Sequence, residues 1–438
     1  MNIHTEAEAS PPVRSEAWTQ WMGVILMSAL VLNYANRAAF TQNAERLQAT
    51  FDLSEQEYGT LESWFGIGFA CGGLLFGVLA DKVSVRILYP FVVIVWSIAG
   101  TMPALVGHVT VLAISRFLLG LFEAGHWPCA LRTTQRIFRP AQRTWGNSLL
   151  QSGASIGAIA VPLAIVAWDR ISPSHWYGLF LVVGALGVPW ALWWWNSTTY
   201  ADMQREVYAT ADASSAEQEK KLVEIPLSQI FTTRRYWILF FFVNCINIHW
   251  HYIRVWLPLI LGKEHGYGLD EVQYISAMYY VSTFAGSIAC GGLTYLLARG
   301  GWNVHRARLA IFCGFAILAG AAIPAGAAIP AAFLTKGWAL VSMFWVAGFG
   351  SLGLFPLYYS LNQEISAKNQ GKIGGTLGFS AWMIISVVHP TVGAIVDADA
   401  SMRPNILAVI GALPLAAFLV VLLGWESRGS RVQGPEPE

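Results

Sequence analysis

An apolar segment in the first half of the chain reads Ser115-Arg116-Phe-Leu-Leu-Gly120-Leu-Phe-Glu123-Ala-Gly125-His126-Trp127-Pro128. Two helical turns separate Arg116 from Glu123, about 10 Å along one face of a helix. Gly120 between them leaves room for another group to approach the backbone. A charge at mid-bilayer costs about 2.5–3.5 kcal/mol even on lenient insertion scales. The segment therefore predicts a transmembrane helix whose charged face meets a polar interior.

Two interpretations of this charged face remain open. In the first, Arg116 and Glu123 form a structural ion pair that fixes the register between neighbouring helices. In the second, they belong to a substrate or proton site in a transport cavity, which is the default role of ionisable residues inside membrane spans. We favour the second interpretation, and it predicts further charges on other helices that face the same cavity.

The composition indicates a polytopic membrane protein. Of the 438 residues, 55% are hydrophobic and 12% are charged, and 20 are Trp, a balance unlike that of a soluble globular domain. The net charge of +1 and the lack of any block rich in Lys or Arg argue against a nucleic-acid partner. The five cysteines lie in apolar segments without metal-type spacing, so we expect no disulfide framework, metal site or cofactor.

Apolar windows of about 20 residues predict twelve membrane spans, and the fold class is therefore an all-α membrane protein in the lipid bilayer. The spans are predicted at 18–46, 56–80, 85–106, 109–137, 142–167, 176–196, 236–261, 269–298, 306–326, 331–361, 371–397 and 403–425.

The longest polar connection divides these spans into two six-helix halves. We predict a linker at 197–235, an N-terminal half at 18–196 and a C-terminal half at 236–425, with tails at 1–17 and 426–438. The first tail lacks the basic start and short apolar core of a secretory signal. Two six-span halves joined by a linker are typical of parallel-repeat transporters that bind their substrate at the midplane between the halves.

Loop charges predict the orientation, because Lys and Arg are retained on the cytoplasmic side. Alternate loops carry the cations, which are Lys82, Arg86, Arg132, Arg136, Arg139, Arg143, Arg234, Arg235, Arg299, Arg306, Arg308, Lys368 and Lys372. The loops between them are poor in cations. We therefore expect both termini, and the linker, in the cytoplasm.

Polar side chains form stripes on several predicted spans, which favours one shared cavity. Such residues also hydrogen-bond transmembrane helices to each other, so no single one of them is decisive. The predicted lining consists of Asn33, Tyr34 and Arg37 in the first span, Gln151 in the fifth, and His251 and Arg254 in the seventh.

The predicted cavity is net positive, because Arg37, Arg116 and Arg254 outweigh Glu123. A guanidinium grips a carboxylate through two parallel hydrogen bonds. We therefore predict a small organic anion with a carboxylate as the substrate. Aromatic residues offer a surface for a sugar ring, with helix packing and interfacial anchoring as the alternatives; they are Tyr34, Trp64, Trp127 and Trp250.

The loop after the second span reads Gly77-Val-Leu-Ala-Asp81-Lys82-Val-Ser84-Val-Arg86. It resembles the G-x-x-x-D-[RK]-x-G-x-[RK] loop of the major facilitator superfamily, with Ser84 in place of the second glycine. A carboxylate beside cations at a helix end can form a latch in one conformation that breaks in another. We predict such a conformational latch at Gly77, Asp81, Lys82 and Arg86.

Within that superfamily the chain resembles the anion:cation symporter branch, which includes sugar-acid and hexuronate transporters of bacteria. The resemblance covers the first half well and the second half weakly. The segments on which the resemblance rests are 33–37, 116–128 and 151–159, with Ile225-Pro226 and Trp256-Leu257-Pro258. Two positions depart from the family pattern. Asn36 stands where the family usually has Asp, which removes an expected proton carrier, and His126 stands where hexuronate-type members usually have Asn.

The resemblance implies a monomeric secondary active transporter of the bacterial inner membrane. It would import a sugar acid, such as a hexuronate or an aldonate, together with a coupling cation. Arg37 and Arg116 would bind the substrate, and Glu123 would carry one proton per monoanion. Asn36 keeps open a Na⁺-coupled or uncoupled carrier of another carboxylate, and a membrane sensor without transport activity is an alternative from another class.

Two further motifs have little functional weight. Residues 153–157 fit G-x-S-x-G and residues 348–353 fit G-x-G-x-x-G, but neither follows a predicted strand. We interpret both as small-residue helix packing. Walker A and H-E-x-x-H sequences do not occur, so the sequence predicts a transporter and not an enzyme.

Overall fold

The computed structural model describes residues 14–138, 140–204, 226–320, 336–365 and 370–425. The predicted tails at 1–17 and 426–438 and the predicted linker at 197–235 lie wholly or partly outside these described residues. The same holds for parts of the predicted ninth and tenth spans, and for Arg139 and Lys368 among the loop cations.

The first half of the described chain consists of helices joined by short turns. They are α1 Glu16–Gln42, α2 Ala44–Phe51, α3 Glu55–Lys82, α4 Val85–Thr101, α5 Val109–Glu123, α6 His126–Ile137, α7 Pro140–Ile171, α8 Gly178–Ala185, α9 Gly187–Ser197 and α10 Tyr200–Gln204. The second half continues with α11 Leu227–Phe231, α12 Arg234–Leu259, α13 Leu269–Arg299, α14 Val304–Ala319, α15 Trp338–Gly353, α16 Phe355–Ile365, α17 Gln370–Ala398 and α18 Arg403–Gly424.

Ten helical segments in the described chain have the length and apolar composition needed to cross a bilayer. Two other helices complete the twelve. α12 has 26 residues but is interrupted by polar side chains such as Asn244 and Arg254, and α14 has 16 residues. Over the residues that the structure describes, the protein is an all-α membrane protein with twelve membrane helices in two six-helix halves, which confirms the predicted fold class.

The fourth predicted span, 109–137, is not one continuous helix. α5 ends at Glu123 and α6 begins at His126. Pro128 lies in the first turn of α6, and because proline has no backbone N–H it cannot donate a hydrogen bond back to α5. The break leaves Glu123 at the last position of α5, where its side chain faces α1.

α3 packs between α5 of its own half and α17 of the other half. The backbones approach closely at glycines. A Cβ added to Gly120 would lie 2.1 Å from the carbonyl oxygen of Phe65, and one added to Gly59 would lie 2.4 Å from that of His389. The approach predicted at Gly120 is therefore confirmed, and the group that approaches is the backbone of α3.

The two glycine motifs also serve helix packing, as predicted. A Cβ on Gly153 would lie 2.3 Å from the carbonyl oxygen of Met27, and one on Gly157 would lie 2.4 Å from that of Val31, so α7 packs directly on α1. Gly350 brings α15 against α14 in the same way, with 2.1 Å from its added Cβ to the Ala319 nitrogen.

Buried apolar side chains form three clusters. One lies in the first half and includes Trp96 and Trp194, and a second lies in the second half. The third cluster joins the halves, with the rings of Tyr58 and Trp256 in edge contact at 5.7 Å. The candidate functional residues lie beside this third cluster.

Candidate functional site

The first part of the site is an ion pair between α1 and the end of α5. Arg37 Nε donates to Glu123 Oε2 at 2.6 Å, and the Glu123 side chain is fully buried. Asn33, one turn earlier on α1, donates from Nδ2 to the backbone carbonyl of Glu123 at 3.3 Å. Three predicted site residues are therefore brought together at the end of α5.

The second part of the site is a carboxylate between two guanidiniums. Arg116 Nη2 on α5 donates to Glu62 Oε1 at 2.6 Å, and Arg254 Nη2 on α12 lies 3.6 Å from Glu62 Oε2. All three side chains are buried. Because α12 belongs to the second half, Glu62 of α3 connects the halves electrostatically at this level.

The structure excludes one of the two interpretations of Arg116 and Glu123, and it corrects the expected number of carboxylates. Arg116 and Glu123 do not pair with each other, because seven helical residues separate them by about 10 Å, which is too far for an ion pair. Glu123 is not the lone carboxylate of the site, because Glu62 is a second one. The sequence contained its signal, an acidic residue two turns inside a span, but Glu55 and Glu57 nearby make it resemble part of the acidic loop before the helix.

The site keeps a positive balance, since three arginines face two glutamates. Several of its polar atoms have no hydrogen-bond partner among the described residues, namely Arg37 Nη2, Arg116 Nε and Nη1, Arg254 Nε and Glu123 Oε1. Buried donors without acceptors are costly. The arrangement can therefore accept further anionic oxygens.

Aromatic rings surround the guanidiniums. The Arg37 guanidinium carbon lies 4.5 Å from the Phe69 ring centroid and 5.1 Å from that of Tyr34. The Arg116 guanidinium carbon lies 4.1 Å from the Phe40 centroid. Cation–π contacts of this kind partly replace hydration at desolvated positions. The rings also exclude water from the ion pairs, which strengthens the electrostatic interactions there.

Trp382 of α17 closes the site from the second half. Its ring lies 4.5 Å from the ring of His251 and 5.8 Å from the Arg37 guanidinium carbon. His251, a predicted site residue, is therefore brought to the site. Gln151 is exposed on α7, and the structure does not bring it into the hydrogen bonds described above.

The other predicted aromatic residues lie outside the arginine cluster, the name we give to Arg37, Arg116 and Arg254. Trp64 is exposed and contacts Phe117 edge to face at 6.4 Å. Trp250 stacks on Tyr279, and Trp127 contacts the ring of His126. These three side chains therefore serve helix packing, and Tyr34 is the member of the predicted aromatic set that contacts an arginine.

Asn36 faces away from the arginines. Its Nδ2 donates to the carbonyl oxygen of Leu32 at 2.9 Å, and a Cβ on Gly100 of α4 would lie 2.0 Å from its Oδ1. The side chain at position 36 is thus held between α1 and α4. The carboxylate expected at position 36 is absent, but Glu62 supplies another carboxylate, and that one does face the arginines.

A second polar network joins the halves at the N-terminal end of α3, which we call the Glu55 end. Glu55 Oε1 accepts from Lys263 Nζ at 2.8 Å and from Arg403 Nη2 at 2.9 Å. Asp397 accepts the backbone N–H groups of Glu55 and Gln56 at 2.9 and 2.8 Å, where a carboxylate also complements the dipole of α3. These contacts hold the two halves together at this end.

Glu264 belongs to the same network, in the turn after α12. Its Oε1 lies 3.2 Å from Arg403 Nε. Burial raises the pKa of the Glu264 carboxyl to about 7; Arg403 opposes this rise and Glu55 adds to it. This carboxyl can therefore change its charge near neutral pH.

The predicted latch lies at the opposite end of α3, which we call the Asp81 end. Asp81 forms an ion pair with Arg132 of α6. Arg86 donates from Nε to the carbonyl oxygen of Thr198 at 3.0 Å, while Lys82 is exposed and an added Cβ on Gly77 would meet no atom within 4 Å. The carboxylate thus finds its cation on a neighbouring helix of the same half.

A metal-ion role finds no candidate in the described ranges, where no group of three or more His, Cys, Asp or Glu side chains is placed to hold one. The chemistry available at the arginine cluster is anion binding and proton binding.

Comparison with known proteins gives a consistent result. Residues 26–390 match the family described as the Major Facilitator Superfamily. The chain is 24% identical over 417 residues to the hexuronate transporter of Escherichia coli (strain K12), covering 92% of each chain. It is 24% identical over 435 residues to the probable galactarate/D-glucarate transporter of Bacillus subtilis (strain 168), covering 94% of this chain and 93% of the relative.

The fold is similar to that of a solved bacterial homologue of the human lysosomal transporter Spinster, in an inward-facing and unoccupied conformation. The TM-score is 0.69 at 18% identity, with 94% of this chain and 96% of the other covered.

Proposed function

The chain belongs to the Major Facilitator Superfamily, and from that premise we propose that it imports a sugar acid together with protons by alternating access. The observation that supports this proposal is that three buried guanidiniums from α1, α5 and α12 converge on two buried carboxylates. Several guanidinium donor atoms have no hydrogen-bond partner among the described residues. This arrangement supports an anionic substrate and a proton as its coupling ion.

Substrate binding begins at Arg37 and Arg116. Their unpartnered donor atoms can donate to the oxygens of a substrate carboxylate, and displacement of a glutamate would free a two-donor fork. Arg254 adds a contact from the second half, and Asn33, Tyr34 and His251 line the approach. Curated relatives named for hexuronate and for galactarate/D-glucarate support a sugar acid.

Proton coupling follows from the same contacts. While Arg37 binds Glu123 at 2.6 Å, the ionised carboxylate is neutralised by its partner. A substrate carboxylate that takes over Arg37 removes that neutralisation, and the buried carboxylate then favours its protonated form. Substrate and proton are therefore bound together and released together.

Alternating access is supported by where the halves touch. The polar contacts of Glu55, Asp397 and Arg403 join the halves at the Glu55 end. We infer that the Asp81 end and both termini lie in the cytoplasm, because loops rich in Lys and Arg are retained on that side. On that orientation the conformation is inward-facing, and we propose that the protein acts as a monomer in the bacterial inner membrane.

The test is uptake into liposomes that contain the purified protein. We expect D-glucuronate, D-galacturonate or galactarate to accumulate when the outside is acidic, and a protonophore to abolish the accumulation. Replacing Na⁺ by choline should leave uptake unchanged. Uptake that requires Na⁺, or that persists undiminished with the protonophore, would contradict proton coupling; no uptake of any of the three acids would contradict the substrate class.

A further inference from the structure

Glu62 occupies a position in the site that resembles that of a bound substrate carboxylate. It lies two turns inside α3, its side chain is 1% exposed, and each of its two oxygens faces a different guanidinium. Oε1 accepts from Arg116 at 2.6 Å and Oε2 lies 3.6 Å from Arg254. A substrate carboxylate that takes over these same two Nη2 donors must therefore displace the Glu62 carboxylate.

Glu123 is related to Arg37 as Glu62 is to Arg116: a substrate carboxylate that takes over the Arg37 Nε donor must displace the Glu123 carboxylate. The guanidinium carbons of Arg37 and Arg116 lie 5.1 and 4.6 Å from the ring centroid of Phe65. The two guanidinium carbons are therefore no farther apart than the sum of these two distances. Two carboxylate positions, one at each arginine, lie within reach of the two ends of a six-carbon acid.

Charge balance relates the two positions. With Glu62 and Glu123 ionised, three arginines leave the site with one net positive charge. A substrate with two carboxylates keeps that balance when both glutamates take up a proton and each yields its arginine. A monoanion that displaced both would leave a second uncompensated positive charge in a buried site, which is costly.

Other charged and titratable groups around Glu62 and its arginines come from every helix packed there. Among these described groups, Glu123 is the other carboxylate. The groups are Arg37 of α1, Tyr58 of α3, Glu123 of α5, His251 of α12, Tyr280 of α13 and His389 of α17.

We propose that Glu62 is a second proton-binding residue and that the site takes a sugar acid with two carboxylates, an aldarate, together with two protons. The inference rests on the proposed function and deepens it. Each glutamate takes one proton from water on the entry side, releases its guanidinium to one substrate carboxylate, and returns the proton to water on the exit side. No covalent bond of the substrate forms or breaks.

The experiment measures equilibrium accumulation of galactarate in liposomes with the membrane potential clamped at zero. With two protons per dianion, a gradient of one pH unit drives about 100-fold accumulation, because each coupled proton contributes about a factor of ten. Glu62→Gln should lower this to about tenfold, and its uptake should now be opposed by a potential that is negative inside. The matched control is Glu57→Gln, an exposed position on the same helix where Gln preserves the N-terminal cap.

The outcomes separate the inference from the proposed function. About tenfold accumulation of galactarate by the wild-type protein, or unchanged coupling in Glu62→Gln, would overturn the role of Glu62. If Glu62→Gln proves inactive, the wild-type ratio alone decides between one proton and two. D-galacturonate that accumulates and competes at least as well as galactarate would overturn the dianion. No proton-driven uptake of either acid would contradict the proposed function itself.

Discussion

At the scale of single residues, the buried ion pairs explain both the order and the reactivity of the site. Removing one partner of such a pair costs about 3–5 kcal/mol, because the other is left as an uncompensated buried charge. Arg37 and Glu123 stabilise each other in this way, and so do Arg116 and Glu62. A substrate carboxylate and a proton together can replace such a pair without leaving an uncompensated charge.

Glu123→Gln tests the proton role of this residue. Glutamine can still accept a hydrogen bond from Arg37, so we expect a folded protein that exchanges substrate across the membrane. Accumulation driven by a gradient of one pH unit should fall about tenfold, because one coupled proton is lost. Counterflow and pH-driven uptake in liposomes measure the two activities separately. Accumulation equal to that of the wild type would show that the coupling proton lies elsewhere.

Part of the site could be predicted from single residues, and part could not. An arginine or glutamate inside an apolar span indicates its own importance, which is how Arg37, Arg116 and Glu123 were identified. Which charges pair depends on helix rotation and on contacts between distant spans, and the sequence alone does not specify either. Arg116 therefore has Glu62 as its partner, from a helix 54 residues away in the chain.

At the scale of helices, α3 positions the site because its backbone is pressed against α5 and α17. Ten of the spans in the described residues were predictable from apolar length, since that signal is local. The break between Glu123 and His126 was not predicted, because counting apolar residues does not detect a lost hydrogen bond. Pro128 was the signal in the sequence that indicates it. The break places the Glu123 carboxylate at a helix end, next to Arg37 of α1.

Gly120→Leu tests this packing. Even a Cβ at this position would lie 2.1 Å from the carbonyl oxygen of Phe65, so α3 and α5 must separate, at a cost of about 1–3 kcal/mol from overpacking. We expect a lower melting temperature in detergent and loss of substrate binding, because Glu62 and Arg116 move apart. Gly73→Ala on α3 is the control, since its Cβ would meet no atom within 4 Å. Equal melting temperatures for the two variants would exclude the tight contact.

At the scale of the whole molecule, the halves are joined at the Glu55 end by ion pairs that must break when this end opens. Glu264 makes that opening sensitive to pH. Its pKa is raised to about 7 by burial, and opening exposes the carboxyl and returns it toward its ordinary value. Between these two values the closed form binds more protons, so protonation favours closure, and this contribution is lost as the pH rises through about 7.

We therefore expect the population closed at the Glu55 end to decrease from about pH 4.5 to about pH 7, and to change little at higher pH. Nitroxide labels at Ser174 and Ala400, both exposed at this end, would report the distance between the halves by electron paramagnetic resonance. In Glu264→Gln the distance distribution should no longer change over this range. A variant that retains the full pH response would show that another group is responsible.

The central claim, that the buried arginines bind the carboxylate of the substrate, is tested most directly by calorimetric titration of galactarate and D-galacturonate into wild-type protein and Arg116→Ala. We predict that the variant loses about 2–5 kcal/mol of binding free energy, at least a 30-fold weaker affinity, while Arg306→Ala, at an exposed position on α14, binds as the wild type does. Undiminished affinity in a folded Arg116→Ala protein would contradict the account.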